Sequence, residues 1–323
     1  MHPPYTNSRQ IYQELAKGNL GTVEALHALR FLQAHGSVST APALPGDMAG
    51  KSNNALEELN KLIGLESVKS LVEEIQAFVQ IRRYRQEQGL KAEPLVLHMV
   101  FKGNPGTGKT TVARILGALF KELGVLSKGH LIEVERADLV GEYIGHTAQR
   151  TREQVKKAVG GILFIDEAYS LARGGEKDFG KEAIDTLVKA MEDHKDELIL
   201  ILAGYRREME KFVQSNPGLS SRFPIILEFP DYNLFELMEI AKMMVKEREY
   251  RLSESAEKCL YNLLKNQVDN YDENRGNARL VRNLVERSIR RQAVRLIGEG
   301  KFDRNTLMVL TESDILAAAE GAE

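Results

Sequence analysis

Residues 103–110 read Gly-Asn-Pro-Gly-Thr-Gly-Lys-Thr and satisfy the pattern G-x-x-x-x-G-K-[ST] in full. An apolar run at 96–101 precedes them, and a helical pattern with Val112, Ile115, Leu116, Leu119 and Phe120 on one face follows. Strand, glycine-rich turn and helix in that order is the setting in which this motif binds phosphate. Gly103, Gly106 and Gly108 let backbone N–H groups converge on phosphate oxygens, and the helix adds its positive N-terminal end. Asn104, Pro105 and Thr107 complete the loop. Lys109 is expected to meet the β- and γ-phosphates, and Thr110 to offer its hydroxyl to Mg2+. Thr111 goes with the binding set, although local packing is its plainer use. A bare glycine turn is the competing reading, and the full match in this setting outweighs it.

Residues 161–167, Gly-Ile-Leu-Phe-Ile-Asp-Glu, form an apolar run ending in two acids. Charges directly after a buried strand lie at the carboxyl edge of a sheet, where open α/β folds bind ligands. Asp166 is expected to hold Mg2+ through water, and Glu167 to orient and deprotonate an attacking water. Two acids capping the next helix is the bland alternative. Beside a phosphate loop the pair points to ATP hydrolysis.

Further apolar runs at 131–135, 162–165, 199–202 and 225–229 alternate with helical patterns such as Ile184, Leu187, Val188 and Met191. Near-continuous apolar strands separated by helices predict an α/β fold with a parallel five-stranded sheet flanked by helices. After Asp231 the strand signal stops, and 233–317 read as helices only. The expected organisation is a helical arm over 1–35, a flexible linker over 36–53, an α/β nucleotide-binding domain over 54–231 and an all-helical domain over 232–323. Lys and Arg number 44 against 46 Asp and Glu, which argues against a generally basic nucleic-acid binder. The single cysteine, Cys259, excludes an intrachain disulfide and suits a reducing cytosol. No apolar run nears the ~20 residues of a membrane span, and 1–5 lack a signal-peptide pattern, so a cytoplasmic protein without a membrane partner is expected.

The runs HMVFKGNPGTGKTTVAR at 98–114, ADLVGEYIGHTAQRTRE at 137–153, GGILFIDEAYSLARGGEKDFGKEAIDTLVKAMED at 161–193 and NPGLSSRFP at 216–224 carry a family resemblance. Over roughly 55–320 the sequence resembles AAA+ ATPases, and more narrowly the CbbX/SpoVK family, on its sporulation side. The resemblance implies a P-loop domain with a C-terminal helical lid, assembled into a homo-oligomeric ring, a hexamer. It implies that Ile63 and Gly64 lie on the adenine side, where a plain helix-breaking turn explains them equally well. Arg222 matches the arginine finger that reaches a neighbour's γ-phosphate, and Arg279 the lid arginine that reports nucleotide. Tyr143, Ile144 and Gly145 match the aromatic pore loop that grips a threaded chain. The alternatives are a surface arginine, an ordinary helix-start arginine and a tyrosine packed on its own subunit. Tyr205 stands where many members carry an Asn or Thr that contacts the attacking water, and its hydroxyl reaches from further off.

Seven arginines fall within 275–295, with Arg287, Arg291 and Arg295 one turn apart. A solvated or subunit-facing helix surface is the plainer reading than a nucleic-acid contact, since no aromatics interleave. His130, His146 and His194 are scattered without a cysteine cluster, so no further metal site is expected. The combined reading is an Mg2+-dependent ATPase ring that remodels an unidentified protein by threading. An ATPase that loads nucleic acid and a nucleotide-gated scaffold are the alternatives.

Overall fold

The computed structural model describes residues 54–91, 95–143, 145–174, 178–269, 276–300 and 302–320. The arm and linker expected over 1–53, and Ile144, lie outside them.

Two helices lead in, α1 (Asn54–Lys61) and α2 (Glu66–Glu87), and bury Ala55, Leu59, Val68, Val72 and Ile75 against the sheet's first face. Gly89, at φ +69°, turns the chain after α2. The alternating part follows: β1 (Met99–Gly103), α3 (Lys109–Glu122), β2 (Leu131–Val134), a short α4 (Arg136–Leu139), α5 (His146–Ala158) and β3 (Ile162–Ile165). Then come a 3-10 turn (Ala168–Ala172), α6 (Gly180–Asp193), β4 (Ile199–Gly204), α7 (Arg206–Ser215), a short α8 (Pro217–Ser220) and β5 (Ile225–Phe229).

The five strands pair in the order β2-β3-β4-β1-β5, all parallel, with Met99 opposite both Ile201 and Ile225. Successive side chains of a strand point to opposite faces. Phe101 therefore joins Leu116, Phe120 and Phe164 in one apolar layer, while Val100 joins Leu163, Ile165 and Leu187 in the other. Burial on both faces explains why the strands read as unbroken apolar runs. β1 starts at Met99 and not at 96, because Val96 is exposed and His98 spends its ring on β4, where Nδ1 accepts the Leu200 N–H at 3.0 Å. β1 lies inside the sheet between β4 and β5, and delivers its C-terminal end, Gly103, to the sheet edge beside the end of β4.

The remaining helices are α9 (Leu234–Glu247), α10 (Glu254–Asp269), α11 (Asn277–Glu299), α12 (Arg304–Met308) and α13 (Glu312–Glu320). A capping box opens α9: Asn233 Oδ1 accepts the Glu236 N–H, and Glu236 Oε2 accepts the Asn233 N–H. Leu260, Leu264, Val281, Val285, Leu310 and Ile315 form this part's own core. Two features correct the sequence reading. A parallel pair of two-residue strands, β6 (Arg251–Leu252) and β7 (Val309–Leu310), interrupts the helices. Such short strands carry no periodicity, and the Gln292 side chain sets the second one in place: its amide Nε2 donates to the carbonyls of Thr306, Leu307 and Val309. Nor are the arginines of α11 a solvated face throughout. Arg295 grips the buried Asp314 carboxylate at 2.9 and 3.0 Å, and Arg291 donates to Ala317 O at 3.1 Å, so both tie α13 to α11. Among the described residues, no helix is long and apolar enough to cross a membrane.

Candidate active site

A cavity of about 260 Å3 opens where the phosphate loop, the ends of β3 and β4, and the start of α11 meet. It brings together Pro105, Gly106, Gly108, Lys109, Thr110, Thr111, Asp166, Glu167, Tyr205 and Arg279. Residues separated by more than a hundred positions thus converge because parallel strands carry their loops to one sheet edge.

Gly106 and Gly108 have φ of +75° and +98°, values that glycine adopts without steric cost. Within the loop, Thr107 Oγ1 donates to Asn104 O at 2.8 Å, and Lys109 Nζ donates to Gly103 O and Asn104 O, each at 2.8 Å. Burial lowers the Lys109 pKa, Asp166 opposes that shift, and the Arg279 charge adds to it. Asn104 and Thr107 do not line the cavity. Thr107 is buried in the loop, and Asn104 Nδ2 turns to the Asp231 carboxylate at 3.0 and 3.1 Å.

On the acidic side, Asp166 Oδ1 accepts the Glu167 N–H at 3.0 Å. Glu167 has left-handed backbone, φ +46°, directly after β3, and its side chain is exposed toward the cavity. Strained backbone at a non-glycine residue is a mark of functional sites. Burial, then the nearby Glu167 charge, push the Tyr169 phenol pKa well up. The Arg173 guanidinium lies 4.5 Å over the Tyr169 ring, and the Tyr205 ring is 6.1 Å from it. The Thr110 hydroxyl and the Asp166 carboxylate are hard oxygen donors on the cavity wall, and Thr110 Oγ1 also lies 3.5 Å from Glu133 Oε1. Among the described residues, no group of three or more His, Cys, Asp or Glu gathers to cage a metal. One or two protein oxygens completed by phosphates and water are what Mg2+ uses beside a nucleotide, so the donor set fits that ion. Chemically, the cavity offers cations for a polyphosphate and a carboxylate for a water.

Five further expected residues lie elsewhere. Ile63 packs on the apolar core of the helical part, and Gly64 has φ +66°, with the place of a Cβ 2.6 Å from Glu236 Oε1. Arg222 is outside the cavity of its own chain, paired with Glu192 and donating to Gly218 O at 3.0 Å. Tyr143 is 66% exposed, its ring edge-on to His146 at 5.5 Å, and Gly145 at φ +83° has open space around it. Sequence reasoning missed Tyr169, Asp231, Tyr232, Asn277 and Arg282. Arg282 lines the cavity one turn beyond Arg279, and that i, i+3 spacing was a readable signal.

The sheet order, the loop and the acid pair after β3 define a P-loop ATPase. The model of the ATPase family associated with various cellular activities (AAA) matches residues 99–231, and that of the AAA lid domain matches 233–323. Stage V sporulation protein K of Bacillus subtilis (strain 168) is 58% identical over 267 residues, covering 82% of this chain and 83% of that protein. Protein CbbX of Cereibacter sphaeroides is 47% identical over 273 residues, covering 83% of this chain and 87% of that protein. The Thermotoga maritima RuvB Holliday junction branch migration motor superposes with a TM-score of 0.53 at 21% identity, over 81% of this chain and 70% of that one, a likeness of fold alone. The chain belongs to the AAA+ ATPases and is related to the sporulation protein and to CbbX.

Proposed function

We propose that this ATPase is an Mg2+-dependent homo-oligomeric ring, a hexamer, that remodels a protein by drawing it past Tyr143, with a role in sporulation. The observation that carries this reading is a cavity with phosphate-loop cations and a free acid but without Arg222, which a second copy would supply. The similarity to stage V sporulation protein K supports the sporulation setting. The exposure of Tyr143, two residues before a glycine with open space around it, supports a gripping loop.

In this reading the organisation is an arm over 1–35, a linker over 36–53, the ATPase domain over 54–231 and the lid over 232–323, in a cytoplasmic protein. The phosphate loop and Lys109 hold the β- and γ-phosphates, and Ile63 and Gly64 face the adenine. Thr110 and Asp166 would hold Mg2+, which when bound neutralises charge on the phosphate oxygens. Glu167 takes a proton from water as its oxygen bonds to the γ-phosphorus, the bond to the β,γ-bridging oxygen breaks, and ADP and phosphate leave. Tyr205 orients that water, Arg279 reports the γ-phosphate to the lid, and Arg222 of the neighbour offsets the developing charge. The test is a substrate trap. Tagged Glu167→Gln, captured from cells with ATP present, should retain a protein that the same variant carrying Tyr143→Ala does not. Recovery of nucleic acid, or of a partner indifferent to Tyr143, would replace threading by loading or scaffolding.

A further inference from the structure

Three carbonyls of the phosphate loop end on donors from outside it. Pro105 O accepts Asn277 Nδ2 at 3.3 Å, Gly106 O accepts the Ala278 N–H at 3.1 Å, and Thr107 O accepts the Tyr232 hydroxyl at 3.2 Å. A trans peptide points its N–H opposite to its C=O. Pinning these three carbonyls therefore turns the N–H groups of Gly106, Thr107 and Gly108 away from the donors, and Gly106 and Gly108 line the cavity. A glycine-rich loop has little preference of its own for one set of peptide orientations. The approach is close: a Cβ on Gly106 would lie against Gly276 O and 2.8 Å from the Arg279 nitrogen.

Asn277 is the hub of these contacts. It is 4% exposed, and its backbone is left-handed, φ +45°. Glycine would take that conformation more readily, and what asparagine adds is the amide. Its Oδ1 accepts the Tyr232 N–H at 3.0 Å, and its Nδ2 donates to Asp231 Oδ1 at 2.8 Å as well as to Pro105. Asp231 takes the Asn104 side chain too, so one carboxylate and one amide join the loop, the strand-to-lid connection and α11.

We propose that Asn277, oriented by Asp231, is a positioning residue for the ATP site: from the lid side it presets the phosphate loop with its N–H groups toward the phosphates. Lid docking and nucleotide affinity are then one event. The inference rests on the reading of 103–110 as the nucleotide loop.

The experiment uses the full chain, ADP affinity by calorimetry and hydrogen exchange of the amides over 104–109. Asn277→Gly keeps the backbone conformation and removes the amide. It should weaken ADP binding by about tenfold, with faster exchange at Gly106 and Thr107, and it also lowers Tm because the buried Tyr232 N–H loses its acceptor, an effect the next variant removes. The double variant Asn277→Asp with Asp231→Asn exchanges donor and acceptor. It keeps the bond between the two positions and the one from Tyr232, loses the bond to Pro105 and one of the two from Asn104, both loop contacts, and should show the same weakening. Wild-type affinity and wild-type protection in the double variant would overturn the proposal, because the fold contacts survive there and those loop contacts do not. Lys109→Ala should abolish ADP binding. Undiminished affinity in that variant would instead remove the nucleotide-loop reading on which the inference stands.

Discussion

The Arg222 guanidinium pairs with the Glu192 carboxylate at the end of α6 within the same chain. Glu192 is 60% exposed and Arg222 33%, so the pair is a surface ion pair, worth ~0.2–1 kcal/mol. A phosphate on a neighbouring copy can take its place at little cost. Arg222→Ala should leave ATP binding intact and lower turnover by ~10³-fold, whereas Glu192→Gln should stay within about threefold. Steady-state hydrolysis at assembling concentrations checks both, and unchanged turnover in Arg222→Ala would end its assignment as the finger.

Glu167→Gln should bind ATP and turn it over at least ~10²-fold more slowly. Tyr169→Phe removes the hydroxyl that feels the Glu167 charge and leaves the ring under Arg173. Its kcat should fall by up to about tenfold with nucleotide affinity unchanged, the expectation for losing one polar neighbour of the base. Single-turnover rates beside equilibrium binding separate the two effects. A loss of binding in Tyr169→Phe would make Tyr169 a structural residue.

Gly106→Ala meets two obstacles, a φ of +75° and the backbone of Gly276 and Arg279. It should displace α11 from the loop, cost about 1–3 kcal/mol and weaken ADP by more than tenfold. Gly124→Ala, at φ +72° with nothing within 4 Å, is the control for backbone strain alone. Urea unfolding with and without ADP reads both. Equal ADP stabilisation of the two variants would show that the close approach is unimportant.

His98 supplies a pH dependence. Its ring is 5% exposed, Nδ1 accepts from Leu200, and burial pushes its pKa down to about 4. In the unfolded chain it titrates near 6.5, so between those values the unfolded state binds the proton and the folded state does not. Stability from this group is complete above pH 6.5 and declines as pH falls toward 4, by ~3 kcal/mol. His98→Asn keeps an acceptor without the titration and should flatten that slope. Urea midpoints from pH 7 to 4.5 that fall in parallel for both proteins would place the dependence elsewhere.

The sheet was legible because each strand is buried on both faces, which forces continuous apolar runs, and the loop because phosphate recognition fixes glycine and lysine spacing. Lys109, Thr110, Asp166, Glu167 and Arg279 meet at one cavity as expected from their motifs. What escaped depends on pairings between distant positions. Asp231, Tyr232 and Asn277 have no spacing relative to residues 104–107 that a linear reading could use, and their bonds span 45 to 172 positions. Arg295 reads like any exposed helix arginine until Asp314 is folded beneath it. The strands at 251–252 and 309–310 are too short to show a period.

α11 contains 23 residues and so measures ~34 Å, with its first turn on the phosphate loop. Arg291 and Arg295 splice α13 onto its distal half, so the two move as one beam. From Asn277 to Val294 the beam is about 26 Å long, and a tilt of about 10° at the loop sweeps Val294 through about 4–5 Å. Val294 and Ile297 stand on that far end 68% and 74% exposed. A tilt of that size, starting from the contact with Gly106, would reach the outer surface as a stroke the size of a side chain.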